Sequence, residues 1–434
     1  MARTPDFEQP FLAGAPEIEE YLDIIRRLNW RPETREMSIM AMFGWVMILP
    51  ICGILEWRPH LYLDGERGAG KTWILDNLIN PALGDYAERV VSNTSEPGLR
   101  NILNNRSIPV IFDEAEGEDK DARKRMDGVL RLARHSASGN KAIVAQGVSG
   151  GGGSRFFSTS STFLLTSILL QLEAAADKTR FGRARLASGH RYTAFVETIE
   201  EPAARLLTRE FSDRLVARIV LRAPDYKETY QLMVEALCLR GVERRVADVY
   251  GTFATGAWLA LRDGVPEDIG EAANFLGDKF NVVGQVMDFN EEMREDRDHH
   301  RVLREISSAD LRIETRNSVA INMQVGGLLE VASGHVGEDD IMISQEEASE
   351  QLRKIGLRLD APDADGRYKR VLIHKNSPAI RNMLEKTPYA RGYVDVIHQA
   401  EGVTMGPTTR FGPGIGSSRT IIVPLEYFFV EGSE

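Results

Sequence analysis

The eight residues Gly65-Glu66-Arg67-Gly68-Ala69-Gly70-Lys71-Thr72 constrain this chain more than any other stretch. Directly before them runs His60–Asp64 (HLYLD), short and strand-like; after them Trp73–Ile79 carries apolar residues at helical spacing, with Pro81 beyond. A strand, a glycine-rich turn and a helix in that order form a pocket for phosphate. Glycines let successive backbone N–H groups turn inward, and the helix N-terminus adds the positive end of its dipole. Gly65, Glu66, Arg67, Gly68, Ala69 and Gly70 are expected to cradle a nucleoside triphosphate. Lys71 would reach its β- and γ-phosphates, and the Thr72 hydroxyl would hold Mg²⁺.

About forty residues later, Ile108–Phe112 is an apolar run that ends in Asp113-Glu114. A buried parallel strand with acids at its C-terminal end supplies the second half of such a site, arriving here as a neighbouring strand. Asp113 is expected to hold the Mg²⁺ shell and Glu114 to orient and deprotonate the attacking water, which favours hydrolysis over nucleotide sensing. A helix over Asp121–Ala137 follows, with Met126, Val129, Leu130 and Ala133 on one face. Two strand-like runs, Ala142–Gln146 and Arg155–Thr159, are then joined by Gly147–Ser154, whose tip Ser149–Ser154 is uncharged and only Gly and Ser. The next strand, Thr162–Ile168, ends in hydroxyls, and Thr166 or Ser167 is the candidate polar group beside the γ-phosphate. Asp177–Phe181 closes a helix before another strand-like run, Arg183–Ala187. Arg180 is the first candidate, and Arg183 the second, for an arginine that touches the γ-phosphate of a neighbouring subunit.

Composition bounds the alternatives. The chain has 434 residues, 43% hydrophobic and 27% charged, so two or three domains with a sizeable core are expected. Its net charge of −11 gives no bulk basicity, so any nucleic-acid surface must be a local patch or a narrow channel. Two cysteines, Cys52 and Cys238, are too few for a disulfide framework or a cysteine-based zinc site, and a reducing, cytoplasmic setting is expected. Ser38–Leu55 runs for 18 residues without a charge, near the lower limit for a membrane span. Pro50 and Gly53 interrupt its last third, so a helix buried on the core is expected, with no membrane partner. His299-His300 sits in a charge-dense run, where adjacent histidines point to different helix faces; a solvated helix face is expected rather than a metal site.

Four regions follow: an N-terminal helical domain at 1–57, a phosphate-loop core at 58–198 whose alternating strands and helices imply an α/β parallel sheet with flanking helices, a helical lid or linker at 199–300, and an α+β domain at 301–434. In the last region Gln345–Ile355 and Ser377–Lys386 read as helices, and Arg370–His374 and Thr420–Phe429 as strands. Arg367, Lys369, Arg370, Arg381, Arg391, Arg410 and Arg419 give it a basic tilt. Its pattern is compatible with a winged helix.

The order of phosphate loop, Asp-Glu strand, hairpin, polar-tipped strand and Thr-Arg-Phe resembles AAA+ ATPases. The segments WRPHLYLDGERGAGKT, SNTSEPGLRNIL, IPVIFDEAEGED and DKTRF, with the tail NSPAIRNMLEKTPYARGY, are similar to superfamily III-like replicative helicases of phages and mobile elements, of the primase–helicase type. The resemblance implies a homo-oligomeric ring, a hexamer, that hydrolyses ATP with Mg²⁺ between subunits and draws single-stranded DNA through its pore. It implies that the hairpin lines that pore, with Lys141, Arg155 and Phe156 as DNA contacts. The chain departs from the pattern in ending the polar-tipped strand in Thr166-Ser167 where those helicases tend to carry Asn. It also lacks a primase module, which would make a separate primase or polymerase a partner. Rival readings are an AAA+ ATPase that remodels or loads a protein, and a nucleotide-gated scaffold without unwinding activity.

Overall fold

The computed structural model describes residues 12–91, 94–113, 120–137, 143–147, 154–167, 172, 175–189, 192–295, 297–314, 320–335, 343–412 and 416–429. The chain divides into two compact units, residues 1–293 and 294–434.

In the first unit the strands are β1 (His60–Asp64), β2 (Glu88–Val91), β3 (Val110–Asp113), β4 (Ile143–Gly147), β5 (Ser154–Ser158), β6 (Phe163–Ser167) and β7 (Phe181–Arg185). Five of them form one parallel sheet in the order β2-β3-β6-β1-β7, and β4 and β5 pair separately as an antiparallel hairpin. The first unit is therefore a mixed α/β fold, a five-stranded parallel sheet flanked by helices. The central strands are apolar on both faces, as a doubly covered parallel sheet requires. Leu61, Ile111 and Leu164 enter one core, while Tyr62, Phe112 and Leu165 enter another on the opposite face. The helix Lys120–Ala137 covers the second face through Met126, Val129, Leu130 and Ala133, as its spacing predicts.

The first face is covered by the N-terminal helices together with helices from 201–293, so these regions share one core with the sheet. The apolar run after Thr34 forms the helix Arg35–Ile48, in which every residue from Met37 onward is buried; a 3₁₀ turn, Leu49–Ile54, begins just before Pro50. By length and composition the stretch from Pro32 to Ile54 could cross a membrane, yet most of it is buried inside the protein. It crosses the helix Arg244–Leu261 at glycines. A Cβ on Gly44 would lie 2.0 Å from the Phe253 carbonyl oxygen, and one on Gly256 would lie 2.4 Å from the Gly44 oxygen. Only hydrogen fits at such a crossing.

The second unit contains β8 (Asp310–Glu314), β9 (Ala320–Gln324), β10 (Leu357–Leu359), β11 (Arg370–His374), β12 (Thr404–Gly412) and β13 (Gly416–Pro424). The hairpin β8–β9 stands apart from an antiparallel sheet in the order β10-β11-β13-β12. The helix Gln345–Ile355 starts in a capping box between Ser344 and Glu347 and stops at Gly356, whose φ of +87° a side chain would strain. The expected strand Thr420–Phe429 begins earlier and ends at Pro424, after which Leu425–Phe428 is a 3₁₀ turn.

One expectation in this unit is corrected. His299 is buried, its ring 4.6 Å from that of His300 and edge-on to Tyr427, rather than lying on a solvated helix face. With Val302, Leu303 and Ile306 it forms the i, i+3, i+4, i+7 stripe of the helix Asp298–Ser307, which the dense flanking charges obscure in the sequence. Burial pushes its pKa down to about 4. No cluster of three or more His, Cys, Asp or Glu residues suited to a metal occurs among the described residues.

Candidate nucleotide site

β1 is buried up to Leu63 and ends at Asp64, where the chain leaves the sheet for the glycine turn. Gly65 is packed tightly: an added Cβ would come within 3.0 Å of Leu186 and 3.1 Å of Ala69. Gly68 and Gly70 have φ of +81° and +93°, with open space where a Cβ would stand. The turn therefore uses glycine for close packing at its root and for left-handed backbone at its crest, where the Ala69 N–H donates to the Glu66 carbonyl at 3.1 Å. The helical run begins at Lys71, with the Ile74 N–H donating to the Gly70 carbonyl at 2.9 Å. Lys71 lies over the turn, its Nζ donating to the carbonyl oxygens of Gly65 at 2.6 Å and Glu66 at 3.1 Å. Glu66, Arg67, Gly68 and Thr72 are exposed, and Ala69 is buried beneath them. The run then widens to π spacing over Leu75–Ile79 before Pro81, whose missing N–H and ring bulk disturb the preceding turn.

Asp113 stands at the C-terminal end of β3, at the same sheet edge as the glycine turn. β3 does not adjoin β1, and here the expectation of a neighbouring strand is corrected: β6 lies between them. The intervening strand brings its polar tip into the gap. Asp64 is opposite Ser167 in the β1–β6 register, and the β3–β6 register reaches Phe112 opposite Leu165, one step before Asp113. Thr166, almost fully buried, donates its hydroxyl to Asp113 Oδ1 at 2.8 Å. Ser167 is fully buried beside it.

Two arginine contacts were not foreseen from the sequence. Arg89 on the edge strand β2 donates to Asp113 Oδ2 at 2.7 Å and also to Asp76, on the helical run that follows the glycine turn. Thr166 and Arg89 thus hold the two oxygens of Asp113 from opposite sides. Arg185, at the end of β7, lies 3.4 Å from Asp64. Burial raises the pKa of Asp64, while Arg185, Arg31 and Arg183 pull it back. Neither arginine belongs to a recognisable motif; only the strand register shows what they face.

Arg180 lies at the other end of the sheet. Its carbonyl accepts from the His60 N–H at 2.9 Å, so it sits level with the start of β1. At a rise of about 3.3 Å per residue, the glycine turn of its own chain is roughly 16 Å away along β1. Its guanidinium is 5.9 Å from the Trp57 ring centroid. Burial lowers its pKa, and the neighbouring charges of Arg245 and Arg134 lower it further. Arg134 is itself clamped by Asp177 through two bonds of 2.7 Å. Arg183, the second candidate, is buried with its side chain on Glu292 at 2.8 Å and over the Phe289 ring at 5.0 Å; it is committed to the interior.

Glu114 and Lys141 fall outside the described residues. Arg155 and Phe156 lie in β5, opposite Gln146 and Ala145 of β4.

Hydroxyl and carboxylate oxygens, from Thr72 and Asp113, are the donors a hard cation such as Mg²⁺ takes. Open left-handed glycines at the start of the helical run fit the phosphates that would complete its shell. The residues present therefore fit a magnesium-bound nucleotide.

No protein-family model and no curated protein matches the chain. Solved structures do match it, among them one described as "SCCmec type IV Cch - active helicase". It is 12% identical, covers 98% of this chain and 72% of that one, and superposes with a TM-score of 0.49.

Proposed function

We propose that this chain is an ATP-hydrolysing motor that assembles as a ring, a hexamer, and translocates on single-stranded DNA as a replicative helicase. The observation that carries the hydrolytic half is the 2.8 Å bond from Thr166 to Asp113, at the sheet edge where the Gly65–Thr72 turn opens. It joins the phosphate-binding and acidic halves of one site through the strand between them.

In this reading the amides of Gly65–Gly70 donate to the phosphates, Ala69 giving up the Glu66 carbonyl for them, and Lys71 leaves its loop carbonyls to neutralise the β- and γ-oxygens. Thr72 and Asp113 hold Mg²⁺, which when bound neutralises charge on the transferring phosphoryl group. Thr166 keeps one oxygen of Asp113 oriented. Glu114, the next residue, accepts the proton of the attacking water. Arg180 lies far from its own turn, which supports a role across a subunit boundary. The DNA contacts assigned to Lys141, Arg155 and Phe156 and a separate primase or polymerase partner rest on the resemblance in sequence, a cytoplasmic setting on the two cysteines, and a winged-helix role for the second unit on the helix and strand pattern of 301–434.

Glu114→Gln is the first test: ATP binding persists and turnover is lost, whereas turnover at a comparable rate overturns the general-base assignment. Single-stranded DNA then separates the readings. Strong stimulation of ATP turnover is expected of the motor; no stimulation marks a protein remodeller, and weak stimulation a scaffold. A purified chain that binds no nucleoside triphosphate ends the reading altogether.

A further inference from the structure

The chain is acidic overall, with a net charge of −11, yet residues 353–424 carry twelve Lys and Arg against six Asp and Glu. Within that stretch some cations are neutralised in place: Lys354 pairs with Glu350, Lys369 with Asp363 and Arg370 with Asp360. Five others, Arg358, Lys375, Arg381, Arg410 and Arg419, form no ion pair among the described residues. Four of them are exposed and Lys375 is half-buried.

These five are contiguous. On the β12–β13 hairpin, Thr408 is opposite Arg419 and Arg410 is opposite Ser417. Arg410 and Arg419 are thus diagonal neighbours on one face, about 7 Å apart at their Cβ atoms. Arg358 reaches across from β10 and donates to the Arg410 carbonyl at 3.1 Å. The Lys375 N–H donates to the Arg419 carbonyl at 3.1 Å, and Arg381 donates to the side chain of the adjoining Asn376 at 3.2 Å. Thr408 and Ser417 stand on the same outward face as the two hairpin arginines, while Thr409 and Ser418 alternate to the other. Two arginines beside two neutral hydroxyl donors match how proteins grip phosphodiester oxygens. A protein partner would need a central apolar anchor, and among the described residues of the hairpin Met405 is the one large exposed hydrophobic.

We propose that the face formed by the β12–β13 hairpin with Arg358, Lys375 and Arg381 is a nucleic-acid backbone-binding surface. It belongs to the second unit and does not rest on the phosphate-loop reading. It contacts phosphates rather than base edges, so it is sequence-tolerant and steeply salt-dependent.

The test uses the full-length chain without nucleotide and a labelled oligothymidylate of about 20 nucleotides, longer than a single typical binding site. Fluorescence anisotropy is measured over a salt series, with a duplex of equal length alongside. Arg410→Ser with Arg419→Ser is expected to weaken binding about tenfold and to lower the slope of log K against log salt by about 1.4 for single strands. Arg410→Lys with Arg419→Lys retains the slope, which separates loss of charge from damage to the hairpin. ATP turnover in the absence of DNA stays at the parental rate. Unchanged affinity and slope in the serine variant overturns the proposal, and so does displacement of the oligonucleotide by polyglutamate at equal charge. Loss of DNA binding on Lys71→Ala, with the serine variant unaffected, also overturns it. Loss of nucleotide binding with this DNA binding intact would count against the phosphate-loop reading alone.

Discussion

Thr166 and Asp113 are 53 residues apart in sequence and meet at 2.8 Å through their side chains, one on β6 and the other on β3. The Thr166 side chain is buried, so its hydroxyl has no solvent partner to exchange for the carboxylate.

Thr166→Val keeps the shape and removes the donor. A hydrogen bond to a charged group contributes about 1.5–3 kcal/mol, so ATP turnover is expected to fall about 10- to 100-fold. Nucleotide affinity, which depends mainly on the glycine turn, changes little. Thr166→Ser restores most of the rate. Equal turnover in the valine variant, measured at saturating ATP and Mg²⁺, would show that Asp113 needs no such support.

Arg89 bonds the other oxygen of Asp113 and must share it with any cation that approaches. Arg89→Ala is therefore expected to lower the Mg²⁺ concentration needed for half-maximal binding of a fluorescent ATP analogue, by several-fold. The side chain is 33% exposed and its partner Asp76 is 47% exposed, so little stability is lost with the pair. A higher Mg²⁺ requirement would mean that Arg89 orients the carboxylate instead of competing for it.

His60 makes the first unit sensitive to acid. Fully buried at the start of β1, its ring donates from Nε2 to the Ala133 carbonyl at 2.7 Å and accepts at Nδ1 from the Phe163 N–H at 3.2 Å. Both nitrogens are satisfied only in the neutral form, and burial pushes the pKa down to about 3. Above the unfolded value of about 6.5 neither state is protonated and the group is silent. As pH falls below it the unfolded chain takes up the proton first, so stability drops, by about 2 kcal/mol at pH 5. His60→Gln, compared with the parent by urea denaturation at pH 7.5 and pH 5, should lose that much less over the interval. Parallel losses in the two proteins would remove His60 as the cause.

Much of this arrangement was legible in the sequence, and the parts that were not share a cause. The glycine turn, the Asp-Glu strand, the hydroxyl-tipped strand and the hairpin announce themselves through local pattern, because each is a strand or turn whose residues must satisfy their own backbone geometry. The polar tip between β1 and β3 follows from strand order, which local pattern does not encode. Arg89 and Arg185 find their partners through register across the sheet, and His299 is buried by a helix whose apolar stripe is diluted with charge. The helix Arg35–Ile48 shows a related limit. Its apolar character reads equally as core or membrane; the contacts of Gly44 with Phe253 and of Gly256 with Gly44 show what it packs against.

That crossing gives a stability test free of any assumption about function. Gly44→Ala places a methyl group 2.0 Å from a backbone oxygen, which no rotamer change relieves, so the helices must separate. A loss of about 3 kcal/mol or more is expected. Gly277→Ala, where a Cβ would meet nothing within 4 Å, is the matched control and costs nothing. Denaturant midpoints of the two variants should differ widely, and similar midpoints would mean that the helices do not touch at Gly44.

Arg180 yields the most demanding prediction, because its position forbids one role and permits another. Roughly 16 Å of strand β1 separates it from the glycine turn of its own chain, farther than an arginine side chain extends. If Arg180 acts on a γ-phosphate, that phosphate is bound by another subunit. Arg180→Ala and Lys71→Ala should each abolish turnover in homogeneous rings, for different reasons: the first removes the transition-state cation and the second the phosphate contact. Mixed in equal amounts, the two proteins should recover activity. In a random ring about a quarter of the interfaces join an intact turn from one parent to an intact arginine from the other. Recovery near that fraction, absent when Lys71→Ala is mixed with a chain carrying both substitutions, places the arginine across the boundary. No recovery in rings shown by mass to contain both chains would leave Arg180 a packing partner of Trp57 and nothing more.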